Sequence, residues 1–93
     1  MATSLTPPQR AALADEIPEW AIDGERITRT FRFSGFAEAM GFVTSVALVA
    51  EAADHHPDIA VSWNTVALTL TTHSEGALTD LDRDLAIRID GLI

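Results

Sequence analysis

The alternation of apolar and polar positions divides the chain into helix, two strands, helix, two strands, helix. Thr6 predicts an N-cap, Pro7 the first helical position and Gln9 the closing member of a capping box. The helix should cover residues 7–16 and stop before Pro18, with Ala11, Ala12 and Leu13 giving it little apolar surface. Trp20, Ala21 and Ile22 lead into Asp23-Gly24, a two-residue hairpin signal. The return strand over residues 26–33 puts Ile27, Phe31 and Phe33 on one face and Thr28, Thr30 and Arg32 on the other. Arg29 falls on the apolar face, which predicts an edge or interface position. Ser34 predicts the cap of the longest helix, residues 35–53, where Phe36, Ala39, Met40, Val43, Val46, Ala47, Ala50 and Ala53 form a core stripe at helical spacing. Phe42, Leu48 and Val49 extend the apolar surface beyond that stripe, an excess that predicts burial by a second copy of the chain. Gly41 costs about 1 kcal/mol relative to alanine in an exposed helix interior, which predicts close packing there.

Residues 59–63 and 65–72 read as two further strands pivoting on Asn64. Val66, Leu68 and Leu70 face one way; Thr65, Ala67, Thr69 and Thr71 face the other. After a loop over residues 74–78, Thr79 caps a final helix reaching about Gly91, with Asp80 and Asp82 in its first turn, where the helix dipole favours acids. Hairpins with helices laid on one face predict an α+β two-layer sandwich with a four-stranded antiparallel sheet, in the order α-β-β-α-β-β-α. The whole of residues 1–93 should form a single domain.

Composition narrows the class. Nearly half of the 93 residues are hydrophobic, which argues for a folded globule. The net charge of −8, with six scattered arginines and no lysine, disfavours direct binding to nucleic acid or an anionic membrane. No cysteine means no disulfide and no thiol nucleophile. The first ten residues lack the charged and apolar regions of a signal peptide, and no apolar run approaches membrane-spanning length, so a cytoplasmic location is expected.

The chemistry concentrates in residues 51–82, which hold every histidine. Imidazole is the side chain whose ordinary pKa, about 6.5, suits proton transfer near neutral pH. Pro57 disfavours helical geometry at His56, so the preceding helix should end near Asp54 and leave His55 and His56 on a turn. An antiparallel hairpin centred on Asn64 sets His73 across from His55 and Thr72 across from His56. The three imidazoles should therefore meet at the open end of the hairpin, among Glu51, Asp54, Asp58 and Asp82. Blander readings stand beside this one. Glu51 also suits a solvated helix position, Asp54 a helix end, Asp82 a capping acid and Trp63 the core. Three histidines can bind zinc, but adjacent His55 and His56 project in different directions, and no i, i+4 histidine pair is present.

The pattern Glu51, His55-His56-Pro57, Trp63, His73, Asp82 resembles the pterin-4a-carbinolamine dehydratase family. Trp20, Phe31-Arg32-Phe33, the helix start 36–42 and the turn from Thr72-His73 to Gly76 are similar as well, so the likeness runs from Trp20 onward. The resemblance implies the same α+β fold and dehydration of 4a-hydroxytetrahydropterin to quinonoid dihydropterin, the recycling step after pterin-dependent aromatic amino-acid hydroxylases. It implies His55, His56 and His73 as the proton-transfer set, with Glu51, Asp54 and Asp82 as supporting acids; within that set His56 is the expected acid and His55 and His73 the base or orienting groups. Pterin would contact Asp54, His55, His56, Pro57, Trp63, Thr71, Thr72, His73 and Ser74. The family further implies a homodimer or homotetramer and a site free of metal and cofactor. Animal members carry a tryptophan where Ile59 stands, so an aromatic is missing beside the pocket, and nothing supports transferring their role with a homeodomain transcription factor. Two other readings use the same scaffold: a non-catalytic assembly factor or coactivator, and a pterin sensor without turnover. A complete histidine set favours the enzyme.

Overall fold

The computed structural model describes residues 2–93. Its elements are α1 (Pro7–Glu16), β1 (Ala21–Asp23), β2 (Arg26–Arg32), α2 (Phe36–Ala53), β3 (Asp58–Ser62), β4 (Thr65–Leu70) and α3 (Asp80–Asp90). All strand pairs are antiparallel and the sheet order is β1-β2-β4-β3, so two hairpins join through their second strands. The α+β arrangement follows the alternation of the sequence. Ile27 and Phe31 of β2 and Val66, Leu68 and Leu70 of β4 are buried on the face that carries α2 and α3. On the other face Thr28 and Thr69 stand directly opposite each other, their hydroxyls 3.4 Å apart. The radius of gyration is 12.9 Å.

Local signals set the boundaries. Thr6 and Gln9 close the capping box of α1 reciprocally, at 2.8 and 3.3 Å. The first hairpin turns on Gly24-Glu25, one residue later than Asp23-Gly24, because Gly24 supplies the positive φ of 59° at the first turn position. The second turns on Trp63-Asn64, with Ser62 opposite Thr65, which shifts the register by one residue from the expected pivot. Trp63 takes a φ of 51°, an uncommon conformation for a bulky residue. The tip is held by Phe33, whose N–H donates to the Asn64 carbonyl at 2.8 Å while Asn64 Nδ2 donates to the Phe33 carbonyl at 2.9 Å.

Helix α2 differs from its expected orientation. Its N-cap is Gly35, without a side-chain cap, and Ser34 instead bonds Glu38 at 3.0 Å. The buried residues are Ala39, Phe42, Val46 and Ala50, with Phe42 stacked near Phe31 and Phe33 at 4.6 and 5.0 Å between ring centroids. Phe36, Met40 and Leu48 are 55%, 39% and 69% exposed. Phe31 of β2 and Phe33 just past its end select Phe42 as the inward residue and so rotate the inner face away from Phe36 and Met40. Gly41 lies on the exposed side with no atom near the position of a Cβ, so close packing is not its role within the chain. By length and apolar composition α2 also reaches a membrane span, with 18 residues and a mean hydropathy of 1.4, which corrects the expectation from sequence.

Arg29 is not at an edge. It sits on central strand β2, under the end of α3, and donates to Asp90 Oδ1 at 2.7 Å, with its guanidinium 4.4 Å from the centre of the Phe31 ring. Trp20 Nε1 donates to the same oxygen at 2.8 Å. Both members of the Arg29–Asp90 pair are at most a quarter exposed, so removing one leaves the other poorly solvated. Replacing Asp90 by alanine is expected to lower the unfolding free energy by about 2 kcal/mol in urea titrations, since hydrogen bonds to charged groups contribute about 1.5–3 kcal/mol. A change below about 0.5 kcal/mol would show that this lock is dispensable.

Candidate active site

The end of α2 aims the histidines. Asp54 adopts the left-handed conformation, φ 51° and ψ 41°, and the N–H of His55 reaches back to the Ala50 carbonyl at 3.1 Å. This is a Schellman ending, in which the first residue past the helix turns sharply. The helix thus stops at Ala53 through Asp54, ahead of Pro57. The turn also breaks helical spacing, and adjacent histidines go to different partners.

His55 is folded inward. Its Nε2 lies 2.5 Å from Asp82 Oδ1, with the His55 side chain 10% exposed and the Asp82 side chain fully buried. Asp82 Oδ2 accepts from the Thr72 hydroxyl and from the Thr79 N–H, both at 2.9 Å. A carboxylate that only accepts requires His55 Nε2 to carry the hydrogen, which leaves Nδ1 as the lone-pair nitrogen of the neutral ring. Nδ1 has no partner within the described residues, yet no buried side-chain nitrogen or oxygen among them lacks one. Nδ1 is therefore the edge of His55 that solvent reaches.

His56 is directed outward. Its Nε2 lies 2.6 Å from Glu51 Oε1, with the two side chains 57% and 76% exposed. Glu51 precedes His55 by one helical turn, but the left-handed Asp54 brings His56 to it instead. The two dyads make contrasting acid–base pairs: one buried and rigidly bonded, one solvated and free to exchange protons with water.

The remaining expected residues divide. Thr72 and Ala77 form a single antiparallel bridge that closes the turn carrying His73 and Ser74, both exposed. His73 follows Thr72 directly, so the two alternate: Thr72 inward to Asp82, His73 outward. Among the described residues His73 makes no side-chain hydrogen bond to either dyad. The one-residue shift of register means that extension of the hairpin would set Thr72, not His73, across from His55. Thr71 is bound elsewhere, its hydroxyl donating to the Glu25 carbonyl at 2.5 Å. Trp63 is 67% exposed at the closed end of the hairpin. A five-residue strand of about 17 Å separates it from Pro57, so the structure does not bring it to the histidines. Among the described residues no group of three or more His, Asp or Glu side chains is arranged to hold a metal ion.

Sequence reasoning missed Thr79 and the N-terminal segment. Ser4 bridges Thr79, and Leu5 N–H donates to the Leu78 carbonyl at 3.1 Å, pinning the start of α3. Thr79 is the expected cap of α3 and Asp82 an expected supporting acid, and their three-residue spacing is that of a capping box. Asp82 closes the cap and also holds His55.

Comparison with known proteins gives this geometry a family. The model of pterin 4 alpha carbinolamine dehydratase matches residues 3–92. The chain belongs to that family. A Picosynechococcus protein named "Putative pterin-4-alpha-carbinolamine dehydratase" is 48% identical over 92 residues, covering 99% of this chain and all of its own length. One of the same name from Chloroflexus aurantiacus is 46% identical over 86 residues, covering 89% and 92%. The crystal structure of a transcriptional coactivator/pterin dehydratase from Brucella melitensis superposes with a TM-score of 0.89 at 37% identity, over 97% of this chain and 98% of that one. A pterin dehydratase-like protein identified as a RuBisCO assembly factor of the α-carboxysome shares the fold, with a TM-score of 0.64 at 24% identity over 78% and 84%.

For this dehydratase-family site, the opposite burial of the dyads predicts opposite stability effects. Asp82→Ala should lower the unfolding free energy by about 3 kcal/mol, because it strands three buried donors. Glu51→Ala should change it by less than about 0.5 kcal/mol. Thermal and urea unfolding of the two variants decide this, and equal losses would contradict it.

Proposed function

We propose that the chain dehydrates a 4a-hydroxytetrahydropterin to quinonoid dihydropterin at the open end of the β3–β4 hairpin. The reading is carried by one observation: two histidine–carboxylate dyads of opposite burial share one turn. The elimination needs an acid to protonate the departing 4a-hydroxyl, which leaves as water, and a base to take a ring N–H proton. Its atoms balance without oxidation or reduction, so the reaction calls for no redox cofactor. His55, with Asp82 behind its Nε2–H and Nδ1 open, suits the base: the buried carboxylate stabilises the imidazolium that forms, by a charge-assisted hydrogen bond. His56, exposed beside Glu51, suits the acid, since it can be reprotonated from water between turnovers. His73 on the neighbouring turn would orient the pterin or its leaving group. Backbone at Asp54–Pro57 and Thr72–Ser74 would line the ring.

The proposed setting is cytoplasmic, downstream of a pterin-dependent aromatic amino-acid hydroxylase. The exposed stripe of Phe36, Met40 and Leu48 on α2 supports a homodimer or homotetramer that covers it. Sedimentation should give an assembly that Leu48→Glu converts to monomer; a wild-type monomer at micromolar concentration would remove this part. The same exposed stripe is what favours the second reading, a non-catalytic coactivator or assembly module.

The assay is the decay of 4a-hydroxytetrahydropterin, generated in situ and followed by ultraviolet absorbance. Wild type should accelerate it, and His55→Ala and His56→Ala should each lose on the order of 10²–10⁴-fold, the usual share of general acid–base catalysis. His73→Ala should lose less if it only orients. Absence of acceleration by a folded wild type would favour the second reading.

A further inference from the structure

We infer that the Thr72 hydroxyl is a positioning residue: with Thr79 it forms a one-way hydrogen-bond chain that fixes Asp82 and, through it, the direction of the His55 ring. The inference rests on the reading of His55 as the base. The direction of the chain follows from counting hydrogens, because each hydroxyl has one to donate. Thr72 donates to Asp82 Oδ2 at 2.9 Å. The Thr72 and Thr79 hydroxyl oxygens are 2.6 Å apart, so Thr79 must be the donor between them. Thr79 in turn accepts the N–H of Leu81 at 3.2 Å, in the first turn of α3. The sequence of donors runs from the helix start through Thr79 and Thr72 into the carboxylate. Bonds arranged head to tail in this way polarise one another.

The consequence for Asp82 is geometric. Oδ2 is occupied by the Thr72 hydroxyl and the Thr79 N–H, which leaves Oδ1 for His55. Thr72, Thr79 and Asp82 are at most 4% exposed, so water does not substitute for a missing donor. The chain also has fixed ends: Thr72 is bridged to Ala77 and Thr79 to Ser4. Valine would fill the volume of Thr72 as well as threonine does, so packing does not account for a hydroxyl at this buried position.

The test compares Thr72→Val, Thr72→Ala and Thr72→Ser, the last two differing by one hydroxyl. Two readouts are taken on full-length protein whose fold is checked by circular dichroism. The first is the proton NMR signal of the His55 ring N–H bonded to Asp82, expected far downfield and slow to exchange. The second is kcat and KM for pterin dehydration across pH. Wild type and Thr72→Ser should keep the NMR signal. Thr72→Val and Thr72→Ala should move or broaden it and lower kcat by about tenfold, roughly one hydrogen bond's worth, with KM little changed. If Thr72→Val does not fold, the alanine–serine pair carries the comparison. Indistinguishable signals in alanine and serine variants would overturn the inference. Wild type without dehydratase activity would instead overturn the proposed function, while the NMR comparison still decides whether Thr72 positions His55.

Discussion

A carboxylate removed from water is the constraint on which this molecule turns. Asp82 has no exposed surface, and a buried carboxylate is tolerated only when hydrogen bonds replace its hydration. Three donors do so, and each comes from a different place: His55 past the end of α2, Thr72 past the end of β4, and Thr79 at the start of α3. Through Thr79 the N-terminal segment is drawn in as well. The same group that holds these segments together dictates which ring nitrogen of His55 carries hydrogen and which is left open. Structural demand and proposed chemistry are thus two descriptions of one set of bonds.

The neighbouring dyad obeys the opposite rule. Glu51 and His56 are well solvated, so their pairing contributes little to stability and leaves the imidazole accessible to water. A single residue separates the regimes. Asp54, in the left-handed conformation, sends His55 beneath the helix end and returns His56 to Glu51. The proposed elimination calls for one base and one acid, and this asymmetry offers a different environment for each. At the other end of α3, Asp90 repeats the logic of Asp82 without its chemistry, accepting from Trp20 and Arg29 to tie the end of the helix to β2.

Much of this was legible along the chain. The alternation in β4, the capping box at Thr6, the cap at Thr79, and the grouping of histidines with acids are local patterns, and local patterns survive into the fold because neighbours in sequence remain neighbours. The misreadings share one origin. Arg29 looked like an edge residue because its partner Asp90 lies 61 residues away. The inner face of α2 was set by Phe31 and Phe33 stacking on Phe42, which periodicity alone does not reveal when nearly every face of a helix is apolar. The hairpin register slipped by one because Trp63 entered the turn. That slip parted His73 from the position across from His55 expected for it.

The sequence by itself determined the element order, the α+β class and the family, because periodicity, caps and motif spacing are properties of short stretches. Tertiary structure alone decided who bonds to whom: His55 with Asp82, His56 with Glu51, Thr72 with Thr79. Those pairings depend on how a left-handed residue ends one helix and how a buried acid begins another. No stretch of chain contains both ends, and the burial that forces them together exists only once the sheet and helices have packed.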